Sequence, residues 1–165
     1  MTRSAEKEWA ACLAQMKGHG LPEPARMDLS GYGRVFPSGL TSDRLRLDED
    51  AFLPGRNLLL LVAGGAYAYR VRANAVAIGL LDETAHLFPD QTAAFLCAAE
   101  TAIETALGYH LAVVAPLLSI SKSEVLALVR VRGISGTYSC HAGTDDPCGS
   151  CISCREISTA VHREG

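Results

Sequence analysis

The densest chemistry in the chain lies near its end. There Cys140-His-Ala-Gly-Thr-Asp-Asp-Pro-Cys148-Gly-Ser-Cys151-Ile-Ser-Cys154 sets four thiols at C-x7-C-x2-C-x2-C spacing. Four thiolates are the ligand set of a closed tetrahedral zinc site, with metal–sulfur distances of about 2.3 Å. Gly143, Pro147 and Gly149 favour turns that fold the segment back on itself and offer backbone amides to the sulfurs. Cys140, Cys148, Cys151 and Cys154 are therefore the expected ligands of a structural zinc. An iron–sulfur cluster also suits C-x2-C-x2-C, although the closing Cys-Pro of ferredoxin-type runs is missing. Redox or disulfide use is the third chemistry. His141 could replace one sulfur, but neighbouring residues rarely ligate one ion together in this geometry. The other two of the six cysteines, Cys12 and Cys97, fall on apolar faces of helical segments and are expected in the core.

A scaffold must hold such a cluster, and the composition provides for one. The 165 residues are 48% hydrophobic and 20% charged, enough for one globular domain and too ordered a mixture for a disordered chain. A net charge of −3 argues against general nucleic-acid binding, which depends on neutralising phosphates. The longest apolar run, Leu58 to Tyr69, falls short of the roughly 18 residues of a membrane span. The segment Met1-Thr-Arg-Ser-Ala-Glu-Lys-Glu-Trp9 has no apolar signal core. A cytoplasmic location is expected, where thiols stay reduced and clustered cysteines favour a metal.

Periodicity supplies the elements. Residues 4–17 carry Trp9, Cys12, Leu13 and Met16 at helical spacing, with Gly18 and Gly20 as the stop. Ala25 to Leu29 reads as a short strand, and residues 30–54 as a long surface loop. Arg56 to Arg72 is apolar on nearly every side, which predicts a deeply buried helix. Ala75 to Leu80 and His110 to Ala115 are unbroken apolar runs of the kind found in parallel strands covered on both faces. Residues 91–107 form an Ala-rich helix ended by Gly108. Ser121 to Arg132 is a helix opened by a Ser121/Glu124 capping box. Alternating helices and buried strands predict an α/β fold with a parallel sheet of three or four strands. So small a sheet exposes its edges, an independent reason to expect association.

Three stretches in order resemble one family. They are Pro54-Gly55-Arg56-Asn57-Leu58-Leu59-Leu60-Leu61, then Ala115-Pro116-Leu117-Leu118 with Ser121-Lys122-Ser123-Glu124-Val125, then Thr137-Tyr138-Ser139-Cys140 leading into the other cysteines. Together with Phe88-Pro89-Asp90, which is similar to that family's Tyr-Pro-Asp, they resemble the 7-cyano-7-deazaguanine synthase (QueC) family from about residue 23 to 157. The resemblance implies a Rossmann-like, three-layer domain of the PP-loop class over residues 1–136, with a zinc-binding tail over 137–165. It implies an ATP- and Mg²⁺-dependent ligase that converts the carboxylate of 7-carboxy-7-deazaguanine to a nitrile with ammonia, acting on a free base and not on a nucleic acid. It further implies that Arg56, Asn57, Asp90 and Lys122 bind nucleotide or substrate. For Asp90 the residues alone equally suggest a helix N-cap. No catalytic residue is singled out.

The family's first strand and its Ser-Gly-Gly-x-Asp-Ser phosphate loop have no counterpart among these residues. Pro37-Ser38-Gly39-Leu40 is not that loop, because no strand precedes it and no helix follows. The domain is thus expected to be incomplete at its N-terminus, with a second chain supplying the loop; a homodimer is also expected from the resemblance. Gln91 and Thr92 stand where the family has Cys and Arg. Two alternatives accompany the ligase: a non-catalytic zinc-stabilised binding domain, and a ligase acting on a different carboxylate.

Overall fold

A computed structural model describes residues 2–82 and 88–162. Part of the segment before Phe88 that differs from the family, residues 83–87, lies outside the described residues. The chain divides into two compact units, Met1–Pro54 with Leu126–Gly165, and Gly55–Val125.

In the second unit, helix α3 (Arg56–Val71) leads into strand β1 (Ala75–Ala77). A short 3-10 turn (Pro89–Gln91), helix α4 (Ala93–Leu107) and strand β2 (Ala112–Val114) follow. The strands pair in parallel, with Ala75 opposite Ala112 and Ala77 opposite Val114. Both helices pack on the sheet and on each other. Their core is Leu61, Ala68, Leu80, Leu96, Ala99, Ile103 and Leu111, with Val76, Ile78 and Val113 turned toward it. Burying aliphatic side chains of this size contributes about 1.5–3 kcal/mol each. Gly64 and Gly65 set the distance between α3 and its neighbours. A Cβ on Gly64 would stand 2.9 Å from Val76 Cγ2, and one on Gly65 would stand 3.0 Å from Ile103 Cγ2.

The other unit contains α1 (Ala5–Gly18), α2 (Ser30–Val35) and α6 (Ile152–His162). Helix α5 (Lys122–Val131) carries the chain across the division. The predicted capping box forms at its start: Ser121 N donates to Glu124 Oε2 at 2.7 Å, and Glu124 N donates to Ser121 Oγ at 3.3 Å.

The α/β class and the parallel pairing are as expected; several particulars are not. Ala25–Leu29 is not a strand, and the described residues contain only β1 and β2. Pro22 and Pro24 lack amide donors, and Asp28 turns its carboxylate to the amide of Ser30 at 2.8 Å, opening α2 inside the expected loop. Helix α3 is covered on one face alone, by Asn57, Leu61, Gly65 and Ala68, while Leu58, Leu60, Val62, Tyr67, Tyr69 and Val71 are exposed. The strands are likewise covered on one face rather than two, leaving Ala75, Ala77 and Val114 exposed. Cys12 and Cys97 are exposed and not core residues. Cys97 lies on the outer side of α4, whose inner side is held by Leu96, Ala99 and Ile103, and no residue of α1 is buried. Helix α6 begins between Cys151 and Cys154 and has no counterpart in the expected elements. No helix among the described residues is long and apolar enough to cross a membrane.

Candidate functional site

The four tail cysteines converge. Their Sγ atoms all lie within 4.8 Å of one another. Cys140, Cys151 and Cys154 are buried, Cys151 completely, and Cys148 is half-buried. Leu47, Tyr138 and Ala142 pack around them. The sequence folds this way because successive turns aim amides at sulfurs. The amide of Cys148 donates to Cys140 Sγ at 3.4 Å, that of Cys151 to Cys148 Sγ at 3.4 Å, and that of Cys154 to Cys151 Sγ at 3.5 Å. Tyr138 braces the first turn by donating its hydroxyl to the carbonyl of Thr144 at 2.8 Å. Cys154 lies in the first turn of α6, where the helix dipole favours negative charge.

The thiols respond differently to this setting. The amide of Cys151 and the hydroxyl of Ser150 draw Cys148 down to about 6. Burial, together with the sulfurs of Cys151 and Cys140, pushes Cys154 up to about 12. Four sulfurs this close cannot all carry charge without a cation among them. A tetrahedral site with bonds of about 2.3 Å needs sulfur–sulfur edges of about 3.8 Å. The Cys148–Cys154 separation is 4.0 Å. The donor set and its spacing therefore fit a closed thiolate site for a metal such as zinc.

Gly143 links this loop to the N-terminal arm. Its φ is +75°, and a Cβ there would sit 2.4 Å from the carbonyl oxygen of Arg3. Gly143→Ala is expected to cost about 1–3 kcal/mol through left-handed strain and this clash. A lowered urea midpoint, with zinc released at lower chelator concentration than from the unmodified chain, is the measurement.

A second constellation gathers at the N-terminus of α3. Asn57 is buried, and its Nδ2 donates to the carbonyl of Asp90 at 2.9 Å. Its backbone amide donates to Asp90 Oδ2 at 3.4 Å. Arg56 Nε and Nη2 both donate to Asn57 Oδ1 at 3.4 Å. Asp90 therefore serves the start of α3, across the fold, rather than α4. Thr92 caps α4 instead, accepting from the amide of Phe95 at 3.1 Å. Gln91 accepts from the amide of Phe88 at 3.0 Å. The two residues that differ from the family pattern are thus engaged in local caps.

Lys122 is separate from this trio. It is half-buried in the first turn of α5 and has no hydrogen-bond or ion-pair partner among the described residues. The segments that follow the two strands nonetheless run side by side, since the amide of Asp82 donates to the carbonyl of Ile120 at 3.1 Å. Because α3 runs into β1 through a short turn, its N-terminus also lies at the carboxyl end of β1. Ligands of open parallel sheets bind at that end.

Two residues that hold the outer edge of β2 are not legible in the sequence. Glu100 Oε2 accepts the amide of Val113 at 2.7 Å, and Glu104 Oε1 accepts that of Leu111 at 3.0 Å. Spacing of four on one helix face was the available signal, but it does not reveal that a strand edge lies opposite.

Comparison with known proteins agrees with these features. A family model described as Queuosine biosynthesis protein QueC matches residues 2–164. The 7-cyano-7-deazaguanine synthase of Methanothermobacter thermautotrophicus is 32% identical over 176 residues, covering 97% of this chain and 78% of that protein. The 7-cyano-7-deazaguanine synthase of Desulforudis audaxviator is 30% identical over 159 residues, covering 93% of this chain and 67% of that protein. With its clustered cysteines, its parallel strand pair and a match running nearly end to end, the chain belongs to the queuosine biosynthesis QueC family.

Proposed function

We propose that these residues form the substrate-side part of a 7-cyano-7-deazaguanine synthase, working with a phosphate loop that is not found among them. The observation that carries the proposal is the Arg56–Asn57–Asp90 group at the carboxyl end of the parallel strands. A carboxylate is a poor electrophile, and ATP with Mg²⁺ would supply a leaving group on oxygen twice, once so that ammonia gives the amide and again so that the amide is dehydrated to the nitrile. The residues of this chain bind and orient. Arg56 offers a guanidinium steadied by Asn57 Oδ1, suited to a carboxylate or phosphate. Lys122 offers an uncommitted ammonium near a helix start, where an anion would be favoured. Residues 137–165 form the zinc-binding tail, with Cys140, Cys148, Cys151 and Cys154 as ligands of a structural zinc, and residues 1–136 form the synthase-like part.

The test is isothermal titration of the chain with ATP and Mg²⁺, alone and with a Ser-Gly-Gly-x-Asp-Ser-bearing partner. ATP-consuming, ammonia-dependent nitrile formation should require both components. Tight, productive ATP binding by these residues alone would overturn the reading that the phosphate loop lies outside them.

A second reading is a zinc-stabilised binding domain without catalysis. It is favoured by one observation: Asp90 is already engaged in seating α3. Nitrile formation by the reconstituted protein excludes it.

A further inference from the structure

The four sulfurs of the tail are not equally guarded. Cys140, Cys151 and Cys154 are 3%, 0% and 8% exposed, whereas Cys148 is half-buried and the most open of the four to solvent. The backbone explains the difference. Cys148 lies on an irregular turn between Pro147 and Gly149, whose φ is +72°. Cys154 lies inside α6, and Cys151 immediately precedes that helix.

Access matters because the thiolate is both the metal ligand and the nucleophile. A closed zinc site keeps four sulfurs in the reactive form, so burial decides which of them a small electrophile meets. Hydrogen peroxide is small and uncharged, and Cys148 Sγ is the sulfur most open to it. Two donors lie on that sulfur, the amide of Cys151 at 3.4 Å and the hydroxyl of Ser150 at 3.6 Å. They draw off electron density and temper its nucleophilicity. A second thiol is close by, with Cys154 Sγ 4.0 Å away. Closing that gap to a bonded sulfur–sulfur distance takes a movement of about 2 Å. The turn that carries Cys148 belongs to no helix or strand that would oppose it.

We propose that Cys148 is an oxidation site for hydrogen peroxide, and that its disulfide with Cys154 opens the metal cluster. The Cys148 thiolate attacks one peroxide oxygen; the O–O bond breaks, hydroxide leaves, and a sulfenic acid forms. The Cys154 thiolate then attacks the Cys148 sulfur; the S–O bond breaks and a second hydroxide leaves. Two protons from solvent turn both hydroxides into water. The two sulfurs together give up the two electrons that the peroxide takes. Cys140 and Cys151 are then the only thiolates left, half the set of a closed site, and they no longer retain the ion. The step goes beyond the ligase reading and rests on the reading of the tail as a zinc site.

The experiment reduces the full chain, loads it with zinc and removes excess metal, all without oxygen. Metal analysis comes first and should give about one zinc per chain. Hydrogen peroxide is then added, released zinc is followed with a chromogenic chelator, and thiols are mapped by alkylation and peptide mass spectrometry. Zinc should appear in step with the loss of two tail thiols, and the bridge should join Cys148 to Cys154. Dithiothreitol with added zinc should restore the site. Combining Cys12→Ser with Cys97→Ser removes the other exposed thiols and should leave the release rate unchanged. Ser150→Ala lifts one donor from Cys148 Sγ and should speed release by about two- to threefold at unchanged zinc content. Three results would each overturn the proposal while leaving the zinc site in place. They are full retention of zinc at peroxide concentrations that oxidise Cys12 and Cys97, a bridge other than Cys148–Cys154, and slower release from Ser150→Ala. A chain that takes up no zinc at all would overturn the zinc reading, and this proposal with it.

Discussion

Replacing Cys151 with serine is expected to remove zinc from the protein and destabilise the tail around it by about 5 kcal/mol or more, since zinc bound at sites of this class contributes about 10–16 kcal/mol in small peptides. Cys151 is the centre of the cluster. It is fully buried, its amide donates to Cys148 Sγ, and its own sulfur accepts the amide of Cys154 at the start of α6. A serine oxygen is too short and too weakly acidic to complete a four-thiolate site, and the three sulfurs left behind repel one another when ionised. Metal analysis should fall from about one zinc per chain to near zero. Chelation of the unmodified protein should reproduce the loss of stability and have no further effect on the variant. Cys12→Ser and Cys97→Ser, at exposed positions, should stay within about 0.5 kcal/mol. Equal zinc content in the Cys151 variant and the unmodified chain would show that the cluster is not the metal site.

The cluster was legible because its geometry is local. Four cysteines within fifteen residues, separated by turn formers, can meet with little help from the rest of the chain. The same holds for the Ser121/Glu124 capping box and for the helices that stop at Gly18 and Gly108. What failed depends on partners far away in sequence. Helix α3 is apolar on nearly every side, yet periodicity cannot say which sides are covered, and only the Asn57–Leu61–Gly65–Ala68 face is. Ala25–Leu29 has strand-like composition but no strand beside it. Glu100 and Glu104 look like ordinary helix-surface charges until β2 is laid along them. The resemblance points to Arg56, Asn57 and Asp90 as binding residues without relating Asp90 to the other two. That they form one hydrogen-bonded group, with Asp90 seating α3 rather than capping α4, follows from a contact 33 residues apart in sequence.

That group yields the second large effect. Asn57→Ala should destabilise the chain by about 1–3 kcal/mol, the cost of leaving buried polar partners unmatched. The side chain is buried, and both of its polar atoms are in use: Nδ2 holds the Asp90 carbonyl, and Oδ1 holds Arg56. Asn57→Asp should be at least as damaging, although it keeps Oδ1 and nearly the same shape. It removes the donor and sets a second carboxylate against Asp90. Arg56→Ala separates folding from binding. Arg56 lies at the first turn and is only half-buried, so its loss should cost less than about 1 kcal/mol of stability. If the guanidinium holds a carboxylate or phosphate, the same change should weaken ligand binding by the reconstituted enzyme by about tenfold or more. Urea denaturation of the three variants, beside ligand titration of Arg56→Ala, resolves the two roles. A stable Asn57→Ala protein would mean that Asp90 is not needed to seat α3 and is available for substrate. An Arg56→Ala protein with full ligand affinity would mean that the guanidinium serves the helix start alone.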